Sequence, residues 1–265
     1  MADSTVSLIE REKKLSTYEG DDRVVKSTEI ENLLKTQKDP CSFNSKLSSL
    51  DEWLEGFEAG ELVVVSGVTG QGKTTLCQTL SFNFFTQNIA SLWFSYEMTY
   101  RQFLRKIPDE LFVFMPLVLK GKSLDWIRDR IQEAKLKFQV RAVFIDHLHF
   151  LVDMAKIKNP SLEIGSIVRG LKRIALDLHV TIFLVAHSTK IKFDEEPELN
   201  SIRDSSFIPQ DADIVLIVWR GKDRADEFTN KTILKLAKSR RTGAMGKKVV
   251  LTYDYGIYWE RVTND

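Results

Sequence analysis

The sequence predicts an α/β chain: a mainly parallel sheet flanked by helices, with an antiparallel C-terminal extension. Three observations lead there. From Leu47 onward, short apolar runs rich in Val, Ile and Leu alternate with helical patterns, the order of strands and crossover helices in a parallel sheet. A glycine-rich stretch, SGVTGQGKTTL from Ser66 to Leu76, joins the first such run to the first long helical pattern. The C-terminal stretch reads as closely spaced strands with turns between them, in hairpin style.

The elements follow in order. Residues 1 to about 40 are rich in charge, Ser and Thr. Within them STEIENLLKTQKDP predicts a short helix, with Ile30, Leu33 and Leu34 on one face and Pro40 beyond its end. This segment, residues 1–44, is either a frayed tail or an arm that packs on a neighbouring subunit; residues 45–265 form the main domain. ELVVVSG is a buried parallel strand, followed by a helix from Lys73 to about Phe85. ASLWFSYEM is a second strand, and the helix SLDWIRDRIQEAKLKF leads to a third, RAVFIDH. A long helix runs from about Leu162 to Leu178, with Ile164, Ile167, Val168, Leu171, Ile174 and Ala175 at helical spacing. VTIFLVAHS and ADIVLIVWR are the fourth and fifth strands.

Composition narrows the function classes. The chain has 265 residues, 43% of them hydrophobic, enough for one large core. Lys and Arg number 38 against 37 Asp and Glu, so a bulk electrostatic grip on nucleic acid is not evident and any such contact must come from local clusters. The two cysteines, Cys41 and Cys77, lack metal-ligand spacing and imply neither a zinc site nor a disulfide framework. No run resembles a signal peptide or is long enough to cross a bilayer, so the expectation is a soluble intracellular protein with no membrane partner, in cytoplasm, nucleoid or mitochondrial matrix.

Gly67, Gly72, Lys73 and Thr74 match G-x-x-x-x-G-K-[ST] between a strand and a helix, the context the motif requires. Glycines let backbone N–H groups turn toward phosphate oxygens, and the helix N-terminus adds a favourable dipole. The loop residues Gly67, Thr69, Gly70, Gln71, Gly72, Lys73, Thr74 and Thr75 are therefore expected to bind ATP or another nucleoside triphosphate. Lys73 would reach the β- and γ-phosphates and Thr74 would ligate Mg²⁺. Asp146 ends an apolar strand where a second Mg²⁺ ligand belongs. Glu97, at the end of LWFSYE, is placed to polarise an attacking water as general base. His187, at the end of TIFLVAH, is placed to hydrogen-bond the γ-phosphate and report its loss.

Taken together these stretches resemble the RecA-type motor core of the DnaB family of hexameric replicative helicases. The resemblance is carried by LSSLDEWLEGFEAGELVVVSGVTGQGKTTL, SYEM, FIDHLHFL, LEIGSIVRGLKRIALDLHVTIFLVAH, SIRDSSFIPQDADIVLIVWR and LKLAKSRRTGAMG, and covers about residues 45 to 262. His187 stands where the family usually has Gln, which resembles the Twinkle and phage helicase–primase branch. The resemblance implies a RecA-like P-loop NTPase fold, an ATP-driven helicase acting on single-stranded DNA, a homo-hexameric ring, and separate primase and polymerase partners. It also implies an ATP site shared between subunits, with Arg240 as a finger on the neighbour's γ-phosphate and Lys238 assisting; Arg241 stands beside it. Arg203, Asp204 and Ser205 match the family's DNA-binding loop, with Ser206 where the family has Gly. Lys156 and Lys158 belong to a second channel loop or to a solvated charge run. Two other readings share the phosphate loop: a RecA-, RadA- or KaiC-like ATPase that assembles without unwinding, and a nucleotide-gated adaptor.

Overall fold

The computed structural model describes residues 10–36, 42–121, 123–152, 159–188, 196–202, 207–222 and 228–260. The chain divides into two compact units, Met1–Pro40 and Cys41–Asp265. The first contains α1 (residues 10–16) and α2 (Ser27–Thr36). Arg23 pairs with Glu29 at 2.8 Å in the first turn of α2, and Ile30 and Leu33 are exposed on that helix.

The second unit is built on one eight-stranded sheet in the order β2-β3-β4-β1-β5-β6-β7-β8. Strands β1 (Leu62–Gly67), β2 (Ser91–Ser95), β3 (Ala142–Asp146), β4 (Thr181–His187) and β5 (Ile214–Lys222) run parallel. Strands β6 (Phe228–Ser239), β7 (Lys247–Asp254) and β8 (Ile257–Glu260) extend it antiparallel. Every residue of β1 is buried, as an apolar run covered on both faces must be.

Alternation along the strands sends two different side-chain sets to the two faces. On one face Trp93, Phe144 and Phe183 share a register across β2, β3 and β4, and their rings stack at 4.5 and 4.7 Å. Phe84 of α4 (Lys73–Phe85) closes over this layer, 5.6 Å from Phe183. Truncating any of these rings would cost about 3–5 kcal/mol. On the other face Leu92, Val143, Ile145, Ile182 and Leu184 meet α6 (Leu124–Phe138) and α7 (Pro160–Leu178), which present Ile127, Ile131, Ile164, Val168 and Leu171. Local signals set the helix ends. Ser123 and Asn159 cap α6 and α7, Pro160 occupies the first turn of α7, and Gln139 and His179 end them in the left-handed region.

Among the described residues of the second unit, three short α-helices carry no sequence prediction: α3 (Ser48–Leu54), α5 (Tyr100–Leu104) and α8 (Phe207–Asp211). The second strand is also shorter than its apolar pattern. It stops at Ser95 opposite Asp146, because Thr99 forms a capping box with Gln102 and starts α5, so the chain must leave the sheet in between. Glu97 thus lies two residues past the strand. Among the described residues no helix is long and apolar enough to cross a membrane.

Candidate active site

The loop between β1 and α4 is tightly built. Gly67 leaves no space for a side chain, since a Cβ there would sit 2.3 Å from the Val218 carbonyl oxygen. Gly72 has φ +96°, and a Cβ there would sit 1.9 Å from the Tyr258 hydroxyl. Lys73 Nζ donates to the carbonyls of Gly67 and Val68 at 2.9 and 3.1 Å. Burial lowers the Lys73 pKa, and the carboxylates of Asp146 and Glu97 oppose that shift. Gln71 Oε1 accepts from the Arg220 backbone N–H at 2.8 Å, tying the loop to β5. Thr79 of α4 accepts from the Tyr258 N–H at 2.9 Å, so the C-terminal hairpin braces the loop helix.

Parallel pairing brings the other residues to the same edge. Gly67 is in register with His187, and Ser95 with Asp146. Thr74 Oγ1 donates to Asp146 Oδ2 at 2.8 Å. Asp146 is fully buried, and its Oδ1 has no hydrogen-bond partner among the described residues. Burial raises its pKa to about 6, against the Thr74 hydrogen bond, which lowers it, while Glu97 raises it further. A buried carboxylate with a free oxygen beside a threonine hydroxyl fits a divalent cation with oxygen ligands, so Thr74 and Asp146 suit Mg²⁺.

His187 Nε2 lies 3.1 Å from His147 Nε2, and His187 Nδ1 lies 3.5 Å from Thr69 Oγ1 of the loop. Glu97, 40% exposed, places Oε2 3.9 Å from His147 Nε2. Burial is the main cause that lowers both imidazole pKa values to about 4, so the rings are neutral at pH 7. His147 escaped the sequence reading; its signal was the DHLH pattern directly after the strand-end acid. The peptide bond between Asp146 and His147 is cis.

Lys238 and Arg240 lie elsewhere. β6 runs against β1 and β5, and its last residue, Ser239, pairs with Ile214, which pairs with Val63 near the start of β1. That is the edge opposite Gly67, about 13 Å away along β1 at 3.3 Å per residue. Arg240 donates to Asp213 Oδ1 at 2.8 Å and to the Gln210 carbonyl at 2.7 Å. Lys238 Nζ donates to the carbonyls of Pro209 and Ala212 at 2.6 and 2.7 Å. Both cations thus hold the C-terminal end of α8, where carbonyls and the helix dipole favour positive charge. Arg241 points away, to the carbonyls of Leu54 and Gly56 at 2.6 and 2.7 Å and to Glu61 at 3.2 Å. Asp213, also missed from sequence, is the hub here. It accepts from the Leu62 N–H and from Lys172 as well as from Arg240. Arg203, Asp204, Ser205, Ser206, Lys156 and Lys158 lie outside the described residues.

A phosphate loop on the central strand of this sheet, an acid on β3 and a second acid just past β2 define a P-loop domain of the RecA type. The family model for the DnaB-like helicase C-terminal domain matches residues 42–111 and 116–258, and the chain belongs to that family. Among its relatives are the replicative DNA helicase DnaB of Rickettsia prowazekii (strain Madrid E), 26% identical over 235 residues that cover 72% of this chain and 48% of that protein, and DnaB of Helicobacter pylori (strain ATCC 700392 / 26695), 28% identical over 225 residues covering 72% and 46%. The replicative DNA helicase DnaC of Bacillus subtilis (strain 168) is 24% identical over 305 residues, covering 100% of this chain and 67% of that protein. The chain spans about half the length of the first of these relatives. In fold it is similar to the ATPase domain of G40P, with TM-score 0.74 and 21% identity over 89% of this chain and 96% of that one. It is likewise similar to a DnaB-like replicative helicase described with its primase interactions, with TM-score 0.74 and 20% identity over 95% and 70%.

Proposed function

We propose that this chain is the ATP-driven motor of a ring-forming replicative DNA helicase, which pulls one strand through a central channel and excludes the other. The observation that carries the reading is the separation of its two half-sites. Lys73, Thr74, Asp146, Glu97 and His187 occupy one edge of the sheet, and Lys238 and Arg240 the opposite edge. One chain cannot bring them to the same phosphate. Head-to-tail copies can, and a heterologous contact of that kind closes into a ring when its rotation permits.

In this reading Lys73 and the loop N–H groups hold the β- and γ-phosphates, and Glu97 orients the attacking water. Thr74 and Asp146 hold Mg²⁺, which neutralises charge on the phosphate oxygens. His187 hydrogen-bonds the γ-phosphate. Arg240, supported by Lys238, stabilises the charge that builds up on the neighbour's transferring phosphoryl group. The ring is a homo-hexamer, and Arg203, Asp204 and Ser205 hold single-stranded DNA by its backbone, with a primase and a polymerase as partners. Residues 1–44 serve as an arm or linker that packs on a neighbouring subunit.

The test is ATP turnover with and without single-stranded DNA, alongside unwinding of a forked duplex. DNA-stimulated turnover with strand separation is expected. Turnover without unwinding, at concentrations where rings are seen, would overturn the helicase reading in favour of an ATPase that only assembles.

A further inference from the structure

The Nε2 atoms of His147 and His187 meet at 3.1 Å, and Glu97 Oε2 lies 3.9 Å from the His147 nitrogen. These three donors are within 4.8 Å of one another, close enough to surround one metal ion. The hydrogen bonds around them argue for a different use. The backbone N–H of His149 donates to His147 Nδ1 at 3.3 Å, so that nitrogen carries a lone pair. The proton of the His147 ring is therefore on Nε2, where a metal would need the lone pair. The Glu97 carboxylate beside Nε2 favours the proton there as well. Of two imidazole nitrogens at hydrogen-bond distance one must donate, and here it is His147. His187 Nε2 is then the acceptor, and the only N–H left to His187 is on Nδ1, the atom 3.5 Å from Thr69.

We propose that His147 is a positioning residue whose Nε2–H holds His187 in the Nδ1–H tautomer, with that N–H turned toward the phosphate loop. The inference rests on the γ-phosphate contact given to His187 above. Its consequence is specific. A neutral imidazole attracts a phosphate oxygen through its N–H and repels it through its lone pair, so the sensor works in one tautomer only. The device is rigid: His147 is 6% exposed, caps the 3₁₀ turn Leu148–Leu151, and packs on Phe150 with ring centroids 4.8 Å apart.

The experiment is nitrogen–proton correlation NMR of the full chain labelled at histidine; with only four histidines, each ring can be assigned by substitution. The native chain should show His147 as Nε2–H and His187 as Nδ1–H. In His147→Leu, His187 should revert to a mixture of tautomers, and kcat for ATP should fall by roughly 10–100-fold with KM little changed, the size typical of losing an orienting partner. His147→Gln, whose amide can still donate to His187 Nε2, should restore most of kcat. An unchanged His187 tautomer in His147→Leu, or a His147→Gln variant as slow as His147→Leu, would overturn the proposal. Loss of the His147 Nε2–H signal on adding one equivalent of Zn²⁺ in excess Mg²⁺ would overturn it too, in favour of a metal site. The tautomer readout stands apart from the sensor reading, which fails by itself if His187→Ala turns over ATP normally.

Discussion

Arg240 and Asp213 form an ion pair at 2.8 Å at the end of the sheet remote from Lys73, with the arginine side chain 49% exposed and the aspartate 10%. Asp213 keeps two other donors, Lys172 and the Leu62 N–H, so removing Arg240 does not strand a buried charge. Arg240→Ala should therefore fold normally and bind ATP as isolated subunits do, while turnover falls by roughly 10³-fold or more, as when an arginine finger is lost. Equilibrium binding of a fluorescent ATP analogue and steady-state turnover measure the two halves. Native turnover in this variant would end the shared-site assignment.

Arg241 predicts the opposite phenotype. It bonds two carbonyls and Glu61 beneath the chain that enters β1, and burial already raises the Glu61 pKa. Arg241→Ala leaves those acceptors without their charged donor and should cost about 2–3 kcal/mol of stability. Urea unfolding should show a lower midpoint with an unchanged slope. ATP turnover per folded molecule should stay within about twofold of native, since this guanidinium is committed within its own chain.

Asp146 sets a pH dependence. Its carboxyl releases a proton near 3.8 when unfolded and near 6 when folded, chiefly because burial disfavours the charge. Between those values the folded state binds the proton more tightly, so Asp146 favours folding at low pH and this contribution is lost as pH rises through about 6. Asp146→Asn stays neutral. In Mg²⁺-free buffer its stability relative to the native chain should rise between about pH 4 and 6 and level off above, gaining on the order of 3 kcal/mol. Its ATP turnover should drop to background. A stability difference that does not change with pH would contradict the assignment of a buried, charge-strained carboxylate.

Gly72 and Tyr258 are coupled. Gly72→Ala forces a side chain into the left-handed region and against the tyrosine hydroxyl. The backbone penalty alone is about 1–2 kcal/mol, and ATP affinity should fall at least tenfold as the loop shifts, by roughly the same free energy. Adding Tyr258→Phe removes the hydroxyl but not the backbone strain, so the double variant should recover part of the affinity. Isothermal titration of the three variants measures the coupling; additive effects would show that the close approach carries no energy.

The strands and long helices were legible because burial on both faces leaves continuous apolar runs, as in ELVVVSG and RAVFIDH, and because α7 repeats its apolar residues at helical spacing. The phosphate loop was legible because its glycines and Lys73 answer to backbone geometry that few residue types satisfy. What escaped depends on contacts between segments far apart in the chain. Nothing in the sequence separates Arg240 from Arg241; the difference arises because one faces Asp213 and the other the carbonyls of Leu54 and Gly56. His147 gained its place only when β3 and β4 paired and set it against His187. Glu97 was placed on a strand because Tyr96 and Met98 continue the apolar pattern, but the Thr99 cap of α5 turns the chain away after Ser95.

The central claim is that each ATP site is completed by a neighbouring copy of the chain. Its most direct test mixes Lys73→Ala with Arg240→Ala, each inactive alone, and measures DNA-stimulated ATP turnover of the mixture. Where an Arg240→Ala subunit abuts a Lys73→Ala subunit on the correct side, a complete site is rebuilt, so an equal mixture should regain up to about a quarter of native turnover by random head-to-tail pairing. A mixture no more active than its components, with mixed assemblies confirmed to form, would contradict the account.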